Sequence, residues 1–184
     1  MRIISGYLKG KKINLPSDKM TRPLKDMVKE SIFNIIEHSK DIELRIEGSK
    51  VLDLFSGSGS FGIECISRGA ESVVFNENYK EAIEILEKNI KKLDCENKCK
   101  ILNSDCFDLS KNFNQEIDLI FLDPPFKETR VNELIISILN MKILKHKGLM
   151  IIHRDKKKKE VYSKKLNIID ERYYGLSKIV FATN

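Results

Sequence analysis

The sequence predicts an α/β fold: a doubly wound, mostly parallel seven-stranded sheet covered by helices, with a small N-terminal β/helix extension. Three observations lead there. From Lys50 onward, short apolar runs alternate with amphipathic segments, the pattern of strands joined by crossover helices. Gly57-Ser58-Gly59-Ser60-Phe61-Gly62 follows the first run and opens a helical segment, matching G-x-G-x-x-G. The last two runs are separated only by Tyr174-Gly175-Leu176-Ser177, too few residues for a parallel crossover, so the final strand must be antiparallel.

Each element follows in order. Residues 1–16 are basic and punctuated by Gly6 and Gly10, which suggests a small β segment. Over residues 24–39, Leu24, Met27, Val28, Ile32, Ile35 and Ile36 recur at helical spacing, with Lys25, Lys29 and Glu30 expected on the opposite face. Val51–Phe55 reads as a strand and Ser60–Arg68 as a helix ended by Gly69. Ser72–Asn76 is the next strand. Tyr79–Leu93 is a helix with Ala82, Ile83, Leu86, Ile90 and Leu93 inward. Cys99–Asn103 and Ile117–Leu122 are strands, and Val131–Leu144 is a helix. Leu149–His153, Leu166–Arg172 and Lys178–Ala182 complete the sheet. A division follows: residues 1–40 as the extension, 41–184 as the main domain.

At 184 residues the chain is long enough for one domain with a substantial core. Lys and Arg number 33 against 27 Asp and Glu, a net charge of +6. That balance favours a polyanionic partner such as nucleic acid, although a lysine-rich proteome gives the same excess. No N-terminal stretch has the apolar core of a signal peptide, and no run approaches a membrane span, so a cytoplasmic location is expected. Cys65, Cys95, Cys99 and Cys106 form no C-x-x-C pair and have no histidine close in sequence, so free thiols and no metal are expected.

Asp123-Pro124-Pro125-Phe126 carries the most chemistry. It ends a buried strand, where an open α/β sheet has its ligand crevice. Two prolines stiffen the turn and remove backbone donors. The Asp123 carboxylate and the Pro124 carbonyl can accept protons from a planar amine while Phe126 stacks on its ring. A plain strand-ending turn is the competing reading. Asp53, four residues before Gly57, would oppose a pyrophosphate but suits the cationic amino-acid part of S-adenosylmethionine. Glu77, eighteen residues past Gly59, ends the next strand and can accept ribose hydroxyls. Asp105, just past the third strand, either accepts the adenine amine or caps a short turn.

Together, Asp53-Leu54-Phe55-Ser56-Gly57-Ser58-Gly59, Glu77, Asp105 and Asp123-Pro124-Pro125-Phe126 resemble the class I S-adenosylmethionine-dependent methyltransferases that act on exocyclic amines. Arg2-Ile3-Ile4-Ser5-Gly6-Tyr7-Leu8-Lys9-Gly10, Thr21-Arg22-Pro23, Val28-Lys29-Glu30-Ser31-Ile32-Phe33-Asn34 and Glu64-Cys65-Ile66-Ser67-Arg68-Gly69-Ala70 are similar to the RsmD family across nearly the whole chain. The chain departs from that family at Leu24, Met27 and Ser56, and at His153, where an acid is common after the fifth strand.

The resemblance implies transfer of a methyl group from S-adenosylmethionine to guanine N2 in small-subunit (16S) ribosomal RNA. It implies a catalytic turn of Asp123, Pro124 and Phe126, and cofactor contacts at Asp53, Phe55, Gly57, Gly59, Glu77, Asp105 and Cys106. Phosphates are expected on Arg2, Lys9, Lys11, Arg22, Lys25 and Lys29, and Lys156-Lys157-Lys158-Lys159 reads as a solvated loop or a further RNA contact. The expected partner is ribosomal RNA within a ribosomal particle, bound by a monomer. The residues themselves leave other readings open: an amine methyltransferase on adenine N6 or a protein glutamine amide, a silent RNA-binding module, or a dinucleotide oxidoreductase.

Overall fold

The computed structural model describes residues 1–17, 24–111, 113 and 115–184, apart from the side chains of residues 110 and 111. Strands β1 (Lys50–Leu54), β2 (Ser72–Glu77), β3 (Cys99–Asn103), β4 (Ile117–Leu122), β5 (Leu144–Asp155), β6 (Asn167–Tyr174) and β7 (Ser177–Thr183) form one sheet. Their order is β3-β2-β1-β4-β5-β7-β6. The first five strands are parallel, and β7 runs antiparallel to both β5 and β6. Helices α1 (Asp26–His38), α2 (Ser60–Ser67), α3 (Lys80–Lys92) and α4 (Val131–Asn140) cover the two faces.

Both faces of the central strands are buried, which is why they read as continuous apolar runs. Val51, Leu119 and Phe121 point into one core layer with Ile32, Phe33, Phe61, Ile63 and Leu86. Leu52, Leu54, Ile120 and Leu122 point into the other, with Leu134, Ile135, Ile138 and Ile152. An aromatic column ties helix to sheet in the first layer. Phe61 stacks on Phe121 with ring centroids 3.9 Å apart, and on Phe33 at 5.1 Å.

Two expected elements change. The helix over 131–144 stops at Asn140. Lys142 takes a left-handed φ of 53°, and Leu144 already pairs with Ile117 in the sheet. Ile143 and Leu144 looked helical because they too are buried, but they belong to a turn and a strand. The N-terminal β segment reduces to a single bridge, Arg2 to Lys12. Its stability comes from docking instead. Ile3, Leu8 and Ile13 enter the first core layer. The Ile4 and Ser5 amides donate to Glu64 of α2 at 2.8 and 2.9 Å, and the Tyr7 amide donates to the Ser67 carbonyl at 2.9 Å. At Gly6 a Cβ would lie 1.7 Å from that carbonyl oxygen, and φ is +78°, so only glycine fits there.

Strand order reverses between β1 and β4, because β1 pairs with β2 on one side and β4 on the other. Their carboxyl ends therefore open onto one crevice.

Candidate active site

β1 ends in a strained turn. Phe55 has φ 58°, a left-handed value uncommon for a bulky side chain. The surrounding bonds fix it: the Ser56 amide donates to the Asn76 carbonyl (3.1 Å), and the Gly59 amide to the Ser56 carbonyl (2.8 Å). Asn89 of α3 donates to the Ser58 carbonyl at 3.0 Å. The loop is thus held from below by β2 and α3. The two glycines expected to meet a ligand differ. At Gly57 nothing lies within 4 Å of where a Cβ would stand, so the loop is open there. At Gly59 a Cβ would meet Leu86 Cδ1 at 2.3 Å, with Ile63 and Phe75 behind it. Gly59 is therefore also a packing position: its missing side chain lets the loop lie on the core.

The expectation for Asp53 is corrected. It is 1% exposed, and its Oδ2 accepts the Gly62 amide at 2.9 Å. Burial pushes its carboxyl well above the ordinary carboxylate range, against the Gly62 hydrogen bond and helped by the charges of Asp123 and Glu77. Asp53 supports the start of α2 from beneath and presents nothing to the crevice.

Glu77 stands where the sequence places it, at the end of β2. Its Oε2 accepts the Gly57 amide (2.8 Å), and its Oε1 accepts the Asn78 and Tyr79 amides (2.9 and 3.0 Å). Those bonds orient the carboxylate and leave lone pairs for a ligand's hydroxyls. Asp105 is exposed, and its Oδ1 caps the following turn through the Phe107 amide at 3.0 Å. The Cys106 thiol is not available to a ligand. It is buried, donates to Asn76 Oδ1 at 2.5 Å, and burial pushes its pKa up to about 12. Asn76 also binds the Leu102 and Ser104 carbonyls, joining the ends of β2 and β3.

The Asp-Pro-Pro-Phe turn faces this loop across the β1–β4 pairing, and the Asp123 amide extends that ladder to the Leu54 carbonyl at 3.3 Å. Asp123 is partly exposed. Its Oδ1 lies 2.7 Å from His153 Nδ1, while Oδ2 has no partner among the described residues. The Pro125 carbonyl is engaged by the Glu128 amide (2.8 Å) and by Arg154 (3.2 Å). No donor among the described residues reaches the Pro124 carbonyl. Arg154, 1% exposed, also donates to the Glu128 carbonyl (2.7 Å) and to Glu160 (2.6 Å), so it clamps the turn from behind. The edge of one ring meets the face of the other between Phe126 and His153, with centroids 5.6 Å apart.

Sequence reasoning missed Asn76, Asn89, His153 and Arg154. The signal was present for the asparagines, which are polar residues inside an apolar strand and on an apolar helix face. His153 stood out only as a departure.

Lys29 requires the plainest correction. It is fully buried, with Nζ 3.3 Å from Glu64, 3.1 Å from the Arg2 carbonyl and 3.2 Å from Ser60 Oγ. It cannot touch a phosphate. Arg2, Lys9, Lys11 and Lys25 are exposed, and Arg22 lies outside the described residues. The tip bearing Lys9 is bound to Ser67, the last residue of α2. That is roughly 12 Å of helix from the glycine loop, at the opposite end of the sheet. The open cleft bounded by Glu47, Lys50, Asp118 and Lys145 also lies at that far end and shares no residue with the turn.

S-adenosylmethionine fits this edge. The oriented Glu77 carboxylate keeps lone pairs for hydroxyls, and Ser56 Oγ in the loop is buried with no hydrogen-bond partner among the described residues. The fold is shared with a solved Escherichia coli protein described as a candidate methyltransferase, yhhF, with TM-score 0.86 at 24% identity over 100% of this chain and 97% of that one. It is shared more distantly with Aeropyrum pernix fibrillarin carrying natively bound S-adenosyl-L-methionine, with TM-score 0.62 at 16% identity over 77% and 70% of the two chains. The fold and its glycine and Asp-Pro-Pro-Phe edges define an S-adenosylmethionine-dependent methyltransferase. The profile of the family described as conserved hypothetical protein 95 matches residues 1–183. Ribosomal RNA small subunit methyltransferase D of Buchnera aphidicola is 36% identical over 84% of this chain and 76% of its own length. Its Haemophilus influenzae namesake is 31% identical over 96% and 90%. The chain belongs to this family, the RsmD family of ribosomal RNA methyltransferases.

Proposed function

We infer that this chain methylates the exocyclic N2 amine of a guanine in small-subunit ribosomal RNA. One observation carries the amine assignment. Asp123 has one oxygen tied to His153 and the other without a partner, beside a Pro124 carbonyl that no described donor reaches. Two acceptors on one rigid turn match the two protons of an NH2 group. The names of the relatives support small-subunit ribosomal RNA as the substrate.

When bound, S-adenosylmethionine supplies an electrophilic methyl group on a sulfonium. Glu77 would hold its ribose, with the open backbone at Gly57 beside it and Asp105 toward the adenine. The target base is extruded from its stack, and Phe126 offers it a ring to lie against. Asp123 Oδ2 and the Pro124 carbonyl accept the amine protons. This draws the nitrogen lone pair out of conjugation and toward the methyl group. Positioning and electrostatics then supply most of the acceleration, with no side chain bonded covalently to the base.

RNA would approach the crevice edge. Exposed side chains that would face it are Lys25 and Met27 at the start of α1, Lys127 beside Phe126, and Lys156–Lys159 after β5. Lys9 and Lys11 would reach phosphates farther along the molecule, whereas the Arg2 backbone lies beside Ser60 at the start of α2, next to the glycine loop. A monomer acting in the cytoplasm on an assembling ribosomal particle is consistent with this surface. No helix among the described residues is long and apolar enough to cross a membrane. The division at residue 40 is proposed as a boundary of function, since residues 1–17 and α1 share the first core layer with the sheet.

Nucleoside mass mapping of ribosomal RNA from a strain lacking the gene tests the reading. N2-methylguanosine should disappear from one small-subunit position and return with the wild-type gene but not with Asp123→Ala. An unchanged N2-methylguanosine profile, or loss of N6-methyladenosine instead, would overturn it.

A further inference from the structure

We propose that His153 is a positioning residue for methyl transfer: its Nδ1–H holds one oxygen of Asp123 so that the other faces the amine. The proposal rests on the reading of the Asp-Pro-Pro-Phe turn as the amine site.

β4 and β5 are parallel with Leu122 opposite Ile152, so Asp123 and His153 emerge side by side at the crevice edge. The imidazole is buried and held at both nitrogens. Nδ1 lies 2.7 Å from Asp123 Oδ1, and Nε2 lies 2.8 Å from Ser177 Oγ at the start of β7. The Phe126 ring meets it at an interplanar angle of 80°. An ionised carboxylate can only accept, so the proton of this contact sits on Nδ1. In the neutral ring Nε2 is then the acceptor, and the Ser177 hydroxyl donates to it.

The consequence falls on Asp123. Its one other hydrogen bond among the described residues is the backbone contact to Leu54 at 3.3 Å, which does not restrain the carboxylate's rotation. Without the imidazole, both oxygens would compete for the amine and for water, and the acceptor would spend less time in the productive orientation. With it, Oδ1 is consumed and Oδ2 is the oxygen presented. Ser177 stops the ring from flipping, and β5 and β7 thereby contribute to a site otherwise built from the ends of β1 to β4. His153 exchanges no proton with the substrate, and its effect is geometric.

Two conservative variants separate this from a general structural role. In His153→Asn the amide nitrogen falls near the position of Nδ1 and keeps the donor to Asp123. In His153→Gln the amide reaches toward Ser177 and loses that donor. Single-turnover methyl transfer to small-subunit RNA should fall about tenfold in His153→Gln and stay within about threefold of wild type in His153→Asn, the loss expected for one orienting hydrogen bond. The KM for RNA and the affinity for S-adenosylmethionine should be unchanged in both. Adding His153→Gln to Asp123→Ala should cost nothing further. Proton NMR of the wild-type protein should give a low-field imidazole NH signal assigned to Nδ1 of His153, absent in Asp123→Ala. Equal rates for the Gln and Asn variants, or a proton found on Nε2 facing Ser177, would overturn the proposal. An Asp123→Ala variant with full activity would instead refute the amine site itself.

Discussion

Lys29 separates a structural from a nucleic-acid role in one substitution. Its ammonium is taken wholly out of water, and burial lowers its pKa while Glu64 opposes the shift. Lys29→Ala removes three contacts at 3.1–3.3 Å and the packing of the stem beneath the N-terminal segment. Breaking a buried ion pair typically costs about 3–5 kcal/mol, because the surviving charge is left without a partner. Here Glu64 keeps Arg68 at 3.0 Å and the amides of Ile4 and Ser5. The loss should therefore sit near the lower end, about 3 kcal/mol. For a chain of this size that lowers Tm by about 6–12 °C. Lys29→Met leaves Glu64 equally short of that partner but keeps most of the stem volume, so it should lose less than Lys29→Ala. Thermal and urea unfolding of the two variants would give that order. RNA affinity, measured across a salt series on the folded fraction, should keep the wild-type slope in both. A Lys29→Ala protein with unchanged Tm but a shallower salt dependence would refute this and return Lys29 to the RNA surface.

Asp123→Ala should slow single-turnover methyl transfer on the order of a hundredfold or more while calorimetric S-adenosylmethionine binding survives, the scale of removing a group aimed at developing charge. Glu77→Ala should weaken that binding by about 1–3 kcal/mol in the same calorimeter, and NAD should bind neither protein. Asp53→Asn should remove a pH dependence of stability. The folded-state pKa of Asp53 is raised, so its favourable contribution is fully present below the unfolded carboxylate value and is lost as pH rises through the folded one. The variant's advantage over wild type in urea should therefore grow from pH 4 to pH 8, and a constant difference would contradict the burial argument. Replacing Lys156–Lys159 with alanine should lower RNA affinity and flatten its salt dependence without altering S-adenosylmethionine binding, and an unchanged salt slope would leave that loop as a solvated turn.

The sheet was legible because its strands are buried on both faces and its helices on one, so period and length separate them without tertiary information. The same clarity failed at Leu144. Burial there serves a strand that begins directly after a helix, and a periodic pattern carries no mark at the junction. The ligand edge was legible for a different reason. Glycines, acids and a proline pair at strand ends are unusual in composition and fall where the topology opens. What surrounds them was not. Asp53 and Gly59 belong to the glycine signature, yet they serve packing and loop support, and the pattern does not distinguish a residue that touches a ligand from one that shapes the loop beneath it. His153 meets Ser177 across 24 positions, through a β5–β7 pairing that no local pattern encodes.

Lys29 and Glu64 illustrate the one error that spacing could have prevented. Lys29 precedes Ile32 by three residues and Phe33 by four, which puts it on the apolar face of α1. A lysine on that face must either snorkel to water or find a buried acid, and Glu64 is that acid on the facing helix. Its carboxylate gathers Lys29, Arg68 and two backbone amides of the N-terminal segment. The basic start of this chain is therefore partly an internal fastening. Removing residues 1–22 would strip Ile3, Leu8 and Ile13 from the first core layer and leave Glu64 half-satisfied under the glycine loop. Loss of methylation on such truncation would report a damaged cofactor edge as readily as a lost RNA contact. Single substitutions at the exposed Arg2, Lys9 and Lys11 avoid that ambiguity, because none of their side chains enters the core. The RNA question is thus best put to charges that face water, and the stability question to Lys29, which does not.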